Sequence, residues 1–132
     1  MIHDVKITPL KQIVDERGKI MHMMRNDSEI FKKFGEIYFS TVNPGFIKAW
    51  HLHKETTLNY ACVKGKVKLV LFDDRKDSST FGRYQELMLS PKDYFLVTIP
   101  PFIWNGFKGL DDSESIIANC LTFFKKKLKK GL

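Results

Sequence analysis

The chain reads as all-β, an antiparallel sandwich or a jelly-roll barrel, and three observations predict this. Short apolar runs with period-two alternation recur along its whole length. Clusters of Gly, Pro, Asn, Asp and Ser separate them at close spacing, and helical periodicity surfaces only once before the C-terminus. About ten short strands with turns between them make a two-sheet β fold.

In chain order, residues 5–7 and 12–13 are short apolar strands on either side of Pro9. Asp15-Glu16-Arg17-Gly18 is a turn leading into a strand over 19–24. Residues 26–34 carry the helical signal: Asp27 or Ser28 supplies a cap, Ile30, Phe31 and Phe34 share a face, and Gly35 stops it. A strand of β-formers follows over 36–42, then the turn Asn43-Pro44-Gly45. The segment GFIKAWHLH alternates like a strand. Two strands, 58–63 and 66–72, flank a hairpin-like turn at Lys64-Gly65. In the second of them Val67, Leu69 and Leu71 form the core face. Residues 73–79 are a polar loop. Strands over 83–89 and 94–99 are split by Ser90-Pro91-Lys92-Asp93, and Pro100-Pro101 interrupts the sheet before 102–107. The last strand covers 115–124, and a lysine-rich tail ends the chain.

A length of 132 residues makes one domain, 1–132, able to bury about two-thirds of its unfolded surface. With 43% hydrophobic and 28% charged residues it is an ordinary soluble composition. No apolar run approaches the ~20 residues of a membrane span, and no leader pattern opens the chain, so a cytoplasmic location is expected. The net charge of +7 falls to +2 without the five lysines of residues 125–130. With no basic stripe interleaved with exposed aromatics, nucleic acid is not an expected partner, and neither is a membrane; a modestly positive body suits a pyrophosphate ligand. Cys62 and Cys120 sit in apolar segments without metal-like spacing, as buried free thiols do.

The chemistry-bearing residues cluster at His51 and His53. At i and i+2 of a strand they share a face, where paired imidazoles serve as metal ligands or as acid–base groups. A surface pair on an open strand face is the plain alternative.

A glycine, five residues, His-x-His, a strand and a glycine turn resembles the first motif of the cupin barrels. More closely, VDERGKI, KAWHLH, GKVKLVLFDDR, DSSTFGRY and IPPFIWNGF resemble, in order, the motifs of the dTDP-4-dehydrorhamnose 3,5-epimerase family over about residues 10–124. The resemblance implies a cupin jelly-roll homodimer that abstracts a proton alpha to the 4-keto group of a dTDP-4-keto-6-deoxyhexose. It implies that His51 is the base and that Arg17 reaches the nucleotide diphosphate, often of the neighbouring subunit. Lys48 stands where the family has an arginine, keeping the charge without the bidentate fork. Where the family's acid tyrosine is expected, Phe123 and Phe124 carry no hydroxyl. The family's ketone-polarising lysine aligns near Leu58, and its orienting aspartate has no counterpart.

The chain also resembles the short cupin 3,4-ketoisomerases acting on dTDP-4-keto-6-deoxyglucose, whose paired histidines correspond to His51 and His53. Their aromatic strand is similar to Ile37-Tyr38-Phe39-Ser40. A third possibility is a nucleotide-sugar-binding cupin without turnover. Across the three, His51, His53 and Tyr38 are the expected catalytic residues, and Arg17, Lys48, Tyr60 and Asn105 the substrate-binding ones. A metal-binding cupin needs ligands at positions occupied here by Thr57 and Asn105, so no metal and no other cofactor is expected.

Overall fold

The computed structural model describes residues 1–123, so Phe124 and the lysine run lie outside the described residues. Eleven strands follow in order: β1 Lys6–Pro9, β2 Gln12–Asp15, β3 Gly18–Met21, β4 Glu36–Val42, β5 Ile47–His51 and β6 Leu58–Lys64. After these come β7 Val67–Asp73, β8 Tyr84–Leu89, β9 Phe95–Ile99, β10 Ile103–Gly109 and β11 Ser115–Leu121. They form a five-stranded sheet ordered β1-β9-β6-β11-β4, a four-stranded sheet ordered β5-β10-β7-β8, and the hairpin β2-β3. Every pairing is antiparallel. The all-β expectation is met.

One core joins the two large sheets. Val67, Leu69 and Leu71 of β7 are at most 1% exposed and meet Leu58, Tyr60 and Cys62 of β6, Val97 and Ile99 of β9, and Ile117 and Leu121 of β11. Burying each such aliphatic side chain contributes about 1.5–3 kcal/mol. Gly65 makes the β6–β7 turn with φ +81°, and a Cβ there would run into Ser115. The outer face of the five-stranded sheet, at Ala61, Tyr94 and Leu96, is covered by Leu10, Met21, Met23, Met24 and Ile30.

The expected helix over 26–34 is absent; residues 26–30 are turns and 31–34 irregular chain. Its polar residues hydrogen-bond locally instead. Arg25 pairs with Asp27 at 2.8 Å, Ser28 N–H and Oγ–H both donate to the Arg25 carbonyl, and Phe31 N–H donates to the Ser28 carbonyl. Nine residues are too few to propagate a helix against such competition. Gly35 has another purpose: a Cβ there would lie 2.5 Å from the Phe123 backbone, and its N–H donates to the Leu121 carbonyl at 2.7 Å. The glycine lets the chain enter β4 against the end of β11.

Candidate functional site

A cavity of about 480 Å³ opens where the start of β4, the end of β11 and the loop after β5 converge. Its walls include Glu36 and Tyr38 from β4, Leu121 and Phe123 from β11 and its exit, and His53, Glu55 and Thr56 from the loop. On β4, Glu36, Tyr38 and Ser40 alternate with the outward Ile37 and Phe39, which fixes the wall Tyr38 stands on.

The histidines reach this region by different routes. The β5 strand stops at His51, so His53 lies beyond it and the simple i, i+2 face does not hold. Instead the β5–β10 register slips: Asn105 faces His51, while Phe107 faces Lys48. Two residues of β10 thus span three of β5, a bulge. Because Asn105 and Phe107 both point into the core, their partners His51 and Lys48 share the inward face despite their odd spacing. His51 is exposed on this edge strand, whereas His53 is half-buried on the cavity wall. Burial, and to a smaller extent the charge of nearby His51, hold the His53 imidazole below its ordinary value of 6.5.

The polar residues underneath are fully committed. The Tyr60 hydroxyl donates to Asn105 Oδ1 at 2.9 Å, and Asn105 Nδ2 donates to the His51 carbonyl at 3.4 Å. Burial, with nearby Tyr38, pushes the Tyr60 hydroxyl far up, so it stays a donor. Both side chains are at most 5% exposed, so they shape the end of β5 from below. Asn119, fully buried on β11, accepts the Asn59 N–H at 3.1 Å and donates Nδ2 to the Tyr38 oxygen at 3.2 Å. Lys48 Nζ donates to Ser40 Oγ at 2.8 Å and to the Thr41 carbonyl at 3.0 Å, closing the seam between β5 and β4.

Of the residues expected to act, the structure places His53 and Tyr38 on one cavity, with His51 beside it on the inward face. Arg17 is elsewhere. It is paired with Asp15 at 2.8 Å in its own turn, with its side chain 85% exposed. Phe123, which the sequence puts at the family's acid-tyrosine position, does line the cavity, whereas sequence reasoning gave no role to Glu36, Glu55 or Asn119. The available signal for Asn119 was an amide in the inward register of an otherwise apolar strand, SIIANCL. Among the described residues no three His, Cys, Asp or Glu side chains gather to hold a metal.

The family model for dTDP-4-dehydrorhamnose 3,5-epimerase matches residues 1–132. The chain belongs to that family. It is 32% identical over 120 residues to a probable low-salt glycan biosynthesis epimerase of Haloferax volcanii, covering 89% of this chain and 77% of that protein. It is 30% identical over 117 residues to the spore coat polysaccharide biosynthesis protein SpsL of Bacillus subtilis, covering 89% and 78%. The crystal structure of a dTDP sugar isomerase from Desulfovibrio desulfuricans G20 superposes with TM-score 0.92 at 38% identity, covering 96% of this chain and 81% of that one.

Against the family pattern, Leu58 is sealed in the core at 2% exposure and offers no cation to the cavity. Phe123 lines the wall without a hydroxyl. The nearest hydroxyl on that wall with its own proton uncommitted among the described residues is Tyr38.

Proposed function

We propose that this 3,5-epimerase-family enzyme is a cupin that isomerises a nucleotide-linked 4-keto-6-deoxyhexose by abstracting a proton alpha to the ketone. It is an isomerase of sugar nucleotides serving polysaccharide biosynthesis, as the names of its relatives from Haloferax and Bacillus suggest for them. The observation that carries the mechanism is the convergence of His53 and Tyr38 on one cavity, with His51 next to them.

A neutral imidazole takes the carbon-bound proton, and a hydroxyl protonates or hydrogen-bonds the developing enolate oxygen. His51, at the base position of the family motif, is assigned the proton. His53 stands on the cavity wall to share or relay it, and Tyr38 supplies the donor. Asn105 and Tyr60 keep the end of β5 in place. Arg17 and Lys48 contribute positive charge for the diphosphate, Arg17 from a second copy of the chain in a homodimer.

A second reading, 3,4-ketoisomerisation, draws support from the two imidazoles and from the placement of Tyr38 rather than residue 123 as the cavity hydroxyl. In it the proton moves between adjacent carbons through an enediol.

Incubating the protein with dTDP-4-keto-6-deoxyglucose in D₂O separates these readings. Deuterium at both C3 and C5 marks epimerase chemistry. Label at C4, with the ketone moved to C3, marks the ketoisomerase. Tight binding with no deuterium uptake would mean a binding module and end the enzymatic reading.

A further inference from the structure

We infer that Asn119 is a positioning residue that turns Tyr38 into a one-way hydrogen-bond donor, aimed at a carbonyl or enolate oxygen in the cavity. This rests on the reading that Tyr38 meets the sugar. Asn119 is 0% exposed and one of few polar side chains in the interior. Its amide cannot flip. Oδ1 accepts the Asn59 N–H at 3.1 Å, and the reversed amide would set NH₂ against that N–H and leave a buried donor unpaired. Nδ2 is therefore fixed on the Tyr38 side, where it donates to the phenolic oxygen at 3.2 Å.

A tyrosine hydroxyl has one proton and an oxygen able to accept. With an N–H already directed at the oxygen, the orientation that points the O–H at Asn119 is closed off. The proton has no other protein acceptor among the described residues, and Tyr38 lines the cavity. The O–H consequently turns to whatever occupies that space. The occupant at this point must accept, as a ketone or enolate oxygen does and an ammonium or amide N–H does not. The same Nδ2–H then stabilises the phenolic oxygen as it gives up proton density. Asn59 itself is held, its Nδ2 donating to the Cys120 carbonyl at 2.9 Å and its Oδ1 accepting from Thr98 at 2.8 Å. The donor chain from the Asn59 N–H through Asn119 to Tyr38 is thus anchored in two strands of the sheet.

Asn119→Asp tests this, because it keeps the shape and the acceptor for Asn59 but replaces the donor facing Tyr38 with an acceptor that draws the proton away. Deuterium exchange and calorimetric affinity are both measured with dTDP-4-keto-6-deoxyglucose, for Asn119→Asp, Tyr38→Phe and the double variant. Expected are a loss of about 10²-fold in exchange and of about tenfold in affinity for Asn119→Asp, with at most about twofold further loss when Tyr38 is already Phe. Equal losses in both backgrounds, or no loss, overturn the inference and leave the enzymatic reading intact. Coupled affinities in a wild type that exchanges no deuterium have the reverse meaning: the positioning stands and turnover falls. No binding of the keto sugar by wild type overturns both. Should Asn119→Asp not fold, the ¹⁵N-labelled Asn119 side-chain amide decides. Its resonance should shift on adding the keto sugar to wild type and stay still in Tyr38→Phe; a shift in both sinks the proposal.

Discussion

The environment of the His53 imidazole biases it toward its neutral form. Burial comes first and His51 second, and both push its titration below 6.5. A neutral base is therefore retained into mildly acid solution, which suits proton abstraction. The sign for stability follows. Between the lowered folded value and 6.5 the unfolded chain binds the extra proton, so stability rises with pH across that window; this contribution is full above 6.5 and already lost below the folded value. Proton NMR of the His53 Cε1–H should give a midpoint under 6.5, and His51→Asn should raise it without reaching 6.5, because burial remains. A midpoint unmoved by His51→Asn would show that the two rings do not sense each other. For turnover, His51→Asn keeps the shape and a hydrogen bond but removes the base, and should slow exchange by about 10²–10⁴-fold. His53→Asn should match that loss only if the paired-imidazole route operates. The two histidines were legible as a chemical pair from KAWHLH. Their geometry was not, because a bulge opposite Asn105 and Phe107 and the end of β5 at His51 break the period-two rule on which the reading relied.

At the level of elements, the β7–β8 connection is a clamp built on Asp73. This carboxylate, 0% exposed, accepts from Arg75 Nε at 2.9 Å and from Ser78 Oγ and Thr80 Oγ1 at 2.6 Å each. Arg75 also donates to the His3 carbonyl at 2.8 Å, and Thr80 Oγ1 accepts the His3 N–H at 3.0 Å, tying the N-terminus to the loop. Burial alone would raise the Asp73 titration, but the bonds from Arg75, Ser78 and Thr80 outweigh it and hold the carboxyl far below its ordinary 3.8. Its contribution to stability is present above 3.8 and is lost as pH falls through the lowered folded value. Asp73→Ala should cost about 3 kcal/mol in urea unfolding at neutral pH, since it strips the mostly buried Arg75 of its closest carboxylate and leaves only Asp4 at 3.3 Å to balance the charge. The gap from wild type should close in strong acid. A gap of the same size at every pH would mean the loss is packing alone. Asp73 could have been found earlier, as it continues the inward register Val67, Leu69, Leu71 by one more step of two. The strands themselves were legible to within two or three residues because their alternation is local. The missing helix at 26–34 was not, because its outcome turns on local hydrogen bonds among Arg25, Asp27 and Ser28 that compete with helical ones and on Ile30 being drawn onto the outer sheet face at Ala61, Tyr94 and Leu96.

For the molecule as a whole, exposed apolar side chains are distributed unevenly. Ile13, Val14 and Ile20 on the β2–β3 hairpin are 44%, 70% and 60% exposed, and Ile37 and Phe39 on the outer face of edge strand β4 are 49% and 66%. An edge strand with apolar residues facing out is ordinarily covered. Arg17 sits at the tip of that same hairpin, and its own fold holds it away from the cavity of its own chain, whose walls share no residue with the hairpin. If Arg17 binds the diphosphate, it does so in a partner's cavity, and one dimer carries two composite sites. Light scattering should then give about twice 15.4 kDa at micromolar concentration. A hybrid experiment goes further. Arg17→Ala spoils the site its hairpin serves, and His51→Asn spoils the site its own barrel forms. In a mixed dimer both lesions fall on the same site and leave the other complete. Mixing the two inactive variants and allowing subunits to exchange should restore about a quarter of wild-type deuterium uptake, since about half the dimers are mixed and each has one intact site. If Arg17 served its own barrel, every site in every mixed dimer would carry one lesion, and mixing would restore nothing.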